Sequence, residues 1–318
     1  MKYFITGGAG FIGSHMADRL IADHQVTVYD NLSSGQRGFI APHLDKPNFR
    51  FIKGEVSDLQ GLTEAMDGHD AVCHFASNPD IARGAVETDL DLRQGALLTY
   101  SVLEAMRNTT AKEIIFASGS GIYGDLGETA AAEDYGPLLP ISMYGAAKLA
   151  GEALVSAFCH LFDLRGYVFR FANVVGARQT HGVGYDFIRK LNTDPTRLEI
   201  LGDGSQSKSY IHVSDVVEAM LLVQDKAEER VNIFNVATDD YIEVAEIAGL
   251  VIEEMGLKGV DCRYSGGDRG WKGDVPVVRF DLSNIHRLGW QAKYNSREAM
   301  RKAVRDMLSG GGKPVSGI

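Results

Sequence analysis

The chain reads as an α/β protein: a doubly wound parallel sheet with helices on both faces, joined to a smaller α+β portion. Three observations carry this. Over the first half, short apolar runs alternate with amphipathic stretches, the order that lays strands in parallel and covers them with helices. The first apolar run ends in a glycine-rich loop that opens a helix. Beyond Asn173 the alternation gives way to glycine, polar residues and short strands. With 318 residues, 45% of them hydrophobic and 23% charged, the chain can bury a sizeable core in one large or two interlocked units.

In chain order, Tyr3-Phe4-Ile5 is a buried strand and Phe11 to Ala22 a helix. Val26 to Tyr29, Phe49 to Ile52 and Ala71 to Phe75 are three further strands. Leu97 to Arg107 has helical spacing, Glu113 to Phe116 is a fifth strand, and a helix from Met143 to Leu161 leads to a sixth at Gly166 to Phe171. A helix from Val213 to Gln224 and a strand at Val231 to Val236 return to the first layer. The expected division is residues 1–172 with 211–236 in one unit, and 173–210 with 237–318 in the other. Gly310 to Gly312 marks a frayed tail.

A formal charge of −10 argues against general nucleic-acid binding, which needs clustered Lys and Arg, but leaves room for a locally positive pocket. Cys73, Cys159 and Cys262 lie far apart and are odd in number, which suggests neither a disulfide framework nor a zinc site. No run approaches the roughly 18 apolar residues of a membrane span. A functional loop beginning at Gly7 leaves no place for a signal peptide, so a cytoplasmic protein is expected.

Thr6-Gly7-Gly8-Ala9-Gly10-Phe11-Ile12-Gly13 joins the first strand to the first helix. Glycines at 7, 10 and 13 let the backbone turn tightly and approach a pyrophosphate at the helix N-terminus, where free N–H groups and the dipole favour negative charge. Asp30 ends the next strand. A carboxylate there accepts hydrogen bonds from ribose hydroxyls and repels a 2′-phosphate, favouring NAD over NADP on a Rossmann-type fold. Arg37 is the one nearby cation that could admit such a phosphate.

Tyr144 and Lys148 are four apart on the helix expected from Met143, so they share one face. A tyrosine with an ordinary pKa of about 10 is a poor base. A neighbouring ammonium and a positive nicotinamide both favour its phenolate, which is then able to take a proton from a hydroxyl.

These motifs resemble the extended short-chain dehydrogenase/reductases, near the UDP-glucose 4-epimerase group. The resemblance rests on Thr6 to His15, Asp30 to Gly35, His74-Phe75-Ala76, Tyr123-Gly124 and Tyr144 to Glu152. It continues through Arg170 to Asn173, Tyr210 to Asp215 and Leu288-Gly289-Trp290, and so covers nearly the whole chain. Asn78-Pro79-Asp80 and Gly270 to Asp274 are similar to a subgroup of bacterial and archaeal nucleotide-sugar epimerases. The resemblance implies NAD, a UDP-sugar substrate and a homodimer through the helices around Leu97 and Ala150. It places Gly7, Gly10, Phe11 and Ile12 at the pyrophosphate, and Asp30, Asn31, Leu32, Ser33, Ser34 and Gly35 around the adenosine ribose. Glu55 and Val56 fall beside the adenine, with Phe75, Ala76 and Ser77 beneath the cofactor. Asn173, Lys208 (where the family usually has Arg) and Arg269 fall at the substrate diphosphate, and Tyr144 with Lys148 at the reacting centre.

Two positions depart from the family pattern. Gly119 stands where a Ser or Thr hydroxyl normally meets the reacting sugar oxygen, leaving Ser120 as the substitute relay or Tyr144 without one. Gln94-Gly95 stands near a usual Asn. The family's dehydratases and decarboxylases need a carboxylate in this loop, whereas Ser120 and Gly121 offer none. Epimerisation is therefore favoured over elimination, with another nucleotide-sugar reaction or a weakly catalytic NAD-binding regulator as rivals. Val174 to Arg189, with His181 and Arg178, holds no readable sugar code.

Overall fold

The alternating apolar runs become the strands of a parallel sheet in the computed structural model, which describes residues 1–311. The strands are β1 (Lys2–Thr6), β2 (Gln25–Asp30), β3 (Phe49–Lys53), β4 (Ala71–His74), β5 (Glu113–Gly119), β6 (Arg165–Phe171) and β7 (Val231–Val236). They lie in the order β7-β6-β5-β4-β1-β2-β3, each neighbouring pair parallel. The winding reverses between β1 and β4, so the loops leaving their C-terminal ends diverge and open a crevice. This is the doubly wound Rossmann arrangement.

Along β1, Tyr3 and Ile5 enter the core on one face while Phe4 enters the core on the other. A strand buried on both faces reads as an unbroken apolar run, which is why Tyr3-Phe4-Ile5 is legible as one. Helices α1 (Phe11–Leu20), α2 (Leu59–Met66), α3 (Leu98–Arg107), α4 (Met143–Phe162), α5 (Val183–Thr193), α6 (Val213–Lys226), α7 (Val244–Glu254) and α8 (Ser296–Asp306) complete the layers. Met16 and Leu20 of α1 pack on one face with Val216 and Met220 of α6. Leu62 of α2, Leu103 of α3 and Val155 of α4 cover the opposite face.

Two segments depart from the sequence expectation. The helix expected at Leu97 is preceded by a π-helical turn over Leu92–Leu97, with five-residue spacing that widens the coil next to the crevice. The stretch from Val174 to Arg189, expected to be irregular, contains the start of α5. Its buried Gly184, Phe187, Ile188 and Leu191 recur at i, i+3, i+4 and i+7. That stripe belongs to a separate core shared with α7 and α8 and including Leu198 and Ile200. Phe280, Leu282, Ile285 and Trp290, by contrast, pack into the core over the main sheet. The expected fray at Gly310 to Gly312 extends outside the described residues. No helix among those described is long and apolar enough to cross a membrane.

Candidate active site

A cleft of about 1190 Å³ runs from the crevice to the edge of the second core. Its first wall is the glycine loop. Gly7 has a φ of +68°, and a Cβ there would lie 2.6 Å from the Ala76 backbone nitrogen, so the loops after β1 and β4 touch only because residue 7 is glycine. A Cβ at Gly13 would lie 2.4 Å from the Gly7 carbonyl oxygen, so α1 seats directly against the loop. The first turn of α1 carries no side-chain cap and no acidic residue, leaving its N–H groups for an anion. Gly7, Gly10, Phe11 and Ile12 all line the cleft.

Asp30, 6% exposed, closes this end. One carboxylate oxygen accepts from the Ala9 N–H at 2.9 Å and the other from the Leu32 N–H at 2.8 Å. The side chain thus braces both loops while still lining the cleft. Asn31 donates to Glu55 at 3.0 Å. Asn31, Ser33, Ser34, Glu55, Val56, Phe75, Ala76 and Ser77 also form the wall. Leu32 and Gly35 do not: Leu32 turns the chain at φ +62°, and Gly35 packs onto the Asp30 carboxylate. Arg37 lies over the Phe51 ring, 5.7 Å from its centroid, and is not part of the wall.

The cleft floor is built by α4 and the end of β5. Ser142 caps α4 by accepting from the Gly145 N–H at 3.1 Å. Tyr144 and Lys148 follow on one face, with the ammonium 5.5 Å from the tyrosine ring centroid. Lys148 Nζ donates to the Ala117 carbonyl at 2.8 Å. Burial pulls the Lys148 ammonium down to about 8 and pushes the Tyr144 phenol up to about 12, the Asp91 carboxylate adding to the rise in the phenol. The expected lowering of Tyr144 rests on the ammonium and the nicotinamide together, and the protein's own groups act in the opposite sense. Removal from water is the largest cause, and no charge on the protein offsets it.

Beneath this floor lies a buried network that the motifs contain but do not explain. Glu152 accepts from Ser118 Oγ at 2.5 Å and from Arg170 Nη2 at 2.8 Å; Arg170 donates to Tyr123 Oη at 2.9 Å, and Tyr123 donates to Asn235 at 2.7 Å. The charges are neutralised and bonded in place, so the turn from Ser118 to Tyr123 is held rigidly under the cleft. Ser120 and Gln94 line the cleft.

At the far end Asn173 sits on a short strand, Asn173–Val175, paired in parallel with Tyr210–His212, and donates to the Ser209 carbonyl at 3.2 Å. Lys208 lines the cleft but is paired with Asp274 at 2.6 Å. Arg269 is not in the wall; it bridges Asp125 at 2.5 Å and the Asp274 carbonyl at 2.6 Å. Both expected phosphate clamps thus have acidic partners 66 and 144 residues away in sequence. Lys190, which the sequence did not single out, also lines this end and donates to the Glu199 carbonyl at 2.8 Å. His181 lines the cleft, whereas Arg178 pairs with Asp18 at 2.8 Å outside it.

Residues 3–237 match the NAD dependent epimerase/dehydratase family. The chain belongs to that family. It is 30% identical over 311 residues to a putative UDP-glucose 4-epimerase of Methanocaldococcus jannaschii, covering 95% of this chain and 97% of the relative. It is 31% identical over 231 residues to a dTDP-glucose 4,6-dehydratase of Streptomyces niveus, covering 70% and 68%. A crystal structure of a UDP-galactose 4-epimerase superposes with a TM-score of 0.87 at 36% identity, covering 97% of this chain and 99% of that one.

The residues of this family member suit its cofactor. The cradle that a Cβ at Gly7 or Gly13 would fill, the uncapped start of α1 and the Asp30 carboxylate together match a pyrophosphate followed by a ribose with free hydroxyls. As an NAD-dependent epimerase/dehydratase relative, the protein is a nucleotide-sugar enzyme. Among the described residues no group of three His, Cys, Asp or Glu gathers to hold a metal.

Proposed function

We propose that the protein epimerises C4 of a UDP-sugar through a transient 4-keto sugar, with no net redox change. The observation that carries this reading is the floor itself: Tyr144 and Lys148 lie beside a turn, Ser118 to Gly121, that brings no carboxylate to the cleft. Elimination of water needs an acid and a base at neighbouring carbons; inversion at C4 needs one proton acceptor and room for the ring to turn.

When bound, NAD supplies the reversible uptake of a hydrogen and its electron pair from C4. Tyr144 Oη takes the C4 hydroxyl proton and later returns it. Lys148 orients the cofactor ribose and holds positive charge beside the phenolate. Asn173, Lys208 and Arg269 retain the diphosphate while the sugar turns, which for the two cations requires exchanging an aspartate partner for phosphate. Gly7, Gly10, Phe11, Ile12, the 30–35 loop, Glu55, Val56 and Phe75 to Ser77 hold the cofactor. Ser120 is the side-chain candidate for proton relay.

The test is proton NMR and mass spectrometry of UDP-glucose, UDP-N-acetylglucosamine and UDP-glucuronate after incubation with the protein and NAD. Unchanged mass with inverted C4 coupling is expected. Loss of water would instead favour the second reading, a 4,6-dehydratase, which similarity to the Streptomyces niveus enzyme motivates. Tyr144→Phe should abolish turnover with NAD still bound; near-normal turnover would remove the tyrosine from the mechanism.

We also propose a cytoplasmic homodimer through α3, the π-helical turn before it and α4, where Leu97 (51%), Tyr100 (45%) and Leu161 (72%) are exposed apolar side chains. Sedimentation of the protein as a monomer would oppose this. The proposed units are residues 1–172 with 211–236, and 173–210 with 237–318, with Phe280 to Trp290 of the second packing on the core of the first.

A further inference from the structure

We propose that Gly119 makes room for a water molecule that carries the proton between the sugar hydroxyl and Tyr144, in place of a side-chain hydroxyl. This rests on the reading of Tyr144 as the proton acceptor.

Residue 119 is not constrained to be glycine by its surroundings. Its backbone is extended, with φ −166° and ψ 171°, a conformation open to any residue. A Cβ built there would meet the Phe171 carbonyl oxygen at 3.7 Å and Tyr144 Oη at 4.0 Å, both ordinary contacts. Neither the chain geometry nor the packing demands glycine. This distinguishes it from Gly7 and Gly13, where a Cβ would fall at 2.6 and 2.4 Å from backbone atoms. What glycine does provide at 119 is a recess on the side of residue 119 that points at the tyrosine hydroxyl.

The recess is polar. Tyr144 Oη can donate or accept, and the Phe171 carbonyl oxygen has two lone pairs, so at least one further bond can be made there. A sugar hydroxyl above the floor would supply another partner, giving a water the two to four partners it requires. Neither neighbouring serine hydroxyl is hydrogen-bonded to Tyr144 Oη among the described residues. Ser118 Oγ is committed to Glu152 at 2.5 Å, on the buried side. Ser120 opens the short helical turn Ser120–Ile122, and its hydroxyl makes no hydrogen bond among the described residues. In the relay, the water accepts the sugar hydroxyl proton as it gives one of its own to the Tyr144 phenolate. The water ends unchanged, and the electron pair of the C4–H bond leaves as in the proposed reaction.

Alanine and serine at 119 separate this from its rivals, because both fit the backbone while only serine replaces the oxygen. Crystals of the NAD-bound full chain should show an ordered solvent peak within hydrogen-bonding distance of Tyr144 Oη and the Phe171 carbonyl. Gly119→Ser should place its Oγ there, and Gly119→Ala should leave the site without an oxygen. With UDP-glucose, Gly119→Ala should lose about 10²-fold in kcat at unchanged KM, and Gly119→Ser should recover most of that loss. Absence of the solvent peak, or an alanine variant as fast as the parent, overturns the proposal. So does a rise in KM for both variants without loss of kcat, which would make the recess a seat for a sugar substituent. If the parent protein turns over none of the nucleotide sugars, the substrate reading fails while the diffraction comparison still decides the water.

Discussion

Tyr144 carries a conflict that the rest of the floor must resolve. Its phenol is held up at about 12 by the protein's own groups, which favour the protonated form at neutral pH. Burial is the first cause, and the Asp91 carboxylate the second. Asp91 is 1% exposed and accepts from Asn78 Nδ2 at 2.9 Å, which fixes its charge near the site. The positive nicotinamide acts in the opposite sense, stabilising phenolate in a medium where charges interact strongly. NAD binding should therefore lower the Tyr144 pKa. The check is a tyrosinate absorbance titration of the parent protein minus Tyr144→Phe, with and without NAD; an unmoved titration would mean that the cofactor does not activate the tyrosine. Asp91→Asn keeps an acceptor for Asn78 but removes the negative charge. That charge raises both Tyr144 and Lys148, so its loss should shift the acid limb of the rate profile to lower pH. A limb that stays in place, or moves upward, would dismiss Asp91 as a tuning group.

The contact between loop and helix explains which elements could be read from sequence. The β1 loop and α1 are specified locally: strand, tight glycine turn and helix start follow one another within eleven residues, and each glycine has a steric reason visible in the fold. Gly13→Ala tests this, because its Cβ would press on the Gly7 carbonyl and the Gly8 Cα, backbone atoms that cannot swing aside. We expect a cost of about 1–3 kcal/mol in stability and weakened NAD binding, measured by melting and calorimetry. Parent-like behaviour in both would show that α1 slides freely. Two further elements carry local signals. α5 carries a full apolar stripe, and α8 carries a reciprocal cap in which the Glu298 N–H donates to Asn295 at 2.8 Å and the Asn295 N–H to Glu298 at 3.1 Å. The pairings of Lys208 with Asp274 and Arg269 with Asp125 were of a different kind. They join segments distant in sequence, so spacing could nominate the cations as phosphate ligands yet say nothing about their partners. The same holds for Arg170 beneath the floor, whose bond to Glu152 is set by tertiary packing of β6 on α4.

At the scale of the whole molecule, three histidines are pulled below the ordinary imidazole value, chiefly by burial. His74, at the end of β4, lies between Thr6 Oγ1 at 2.8 Å and Thr99 Oγ1 at 3.2 Å, and burial followed by the Lys148 charge pushes it down to about 3. His212 sits at the start of α6 against the Tyr294 ring, its pKa pulled down to about 4 by burial first and Lys302 next. His15 of α1 bonds the Ala177 carbonyl at 2.9 Å and is lowered by burial. An unfolded histidine protonates near 6.5, whereas these resist it in the fold. The unfolded state therefore binds more protons once pH falls below about 6.5, and stability drops until the folded values near 4 and 3 are passed. Each fully resistant histidine steepens the loss by at most about 1.4 kcal/mol per pH unit. The melting temperature should accordingly fall between pH 7 and pH 5. His212→Asn retains an acceptor for the Ser214 N–H, now met by His212 Nδ1 at 3.2 Å, while removing the titration. That variant should show a shallower fall over the same interval, whatever its stability at pH 7. An equally steep fall would move the acid sensitivity away from the joint between the sheet and the second core, toward His74 and the crevice itself.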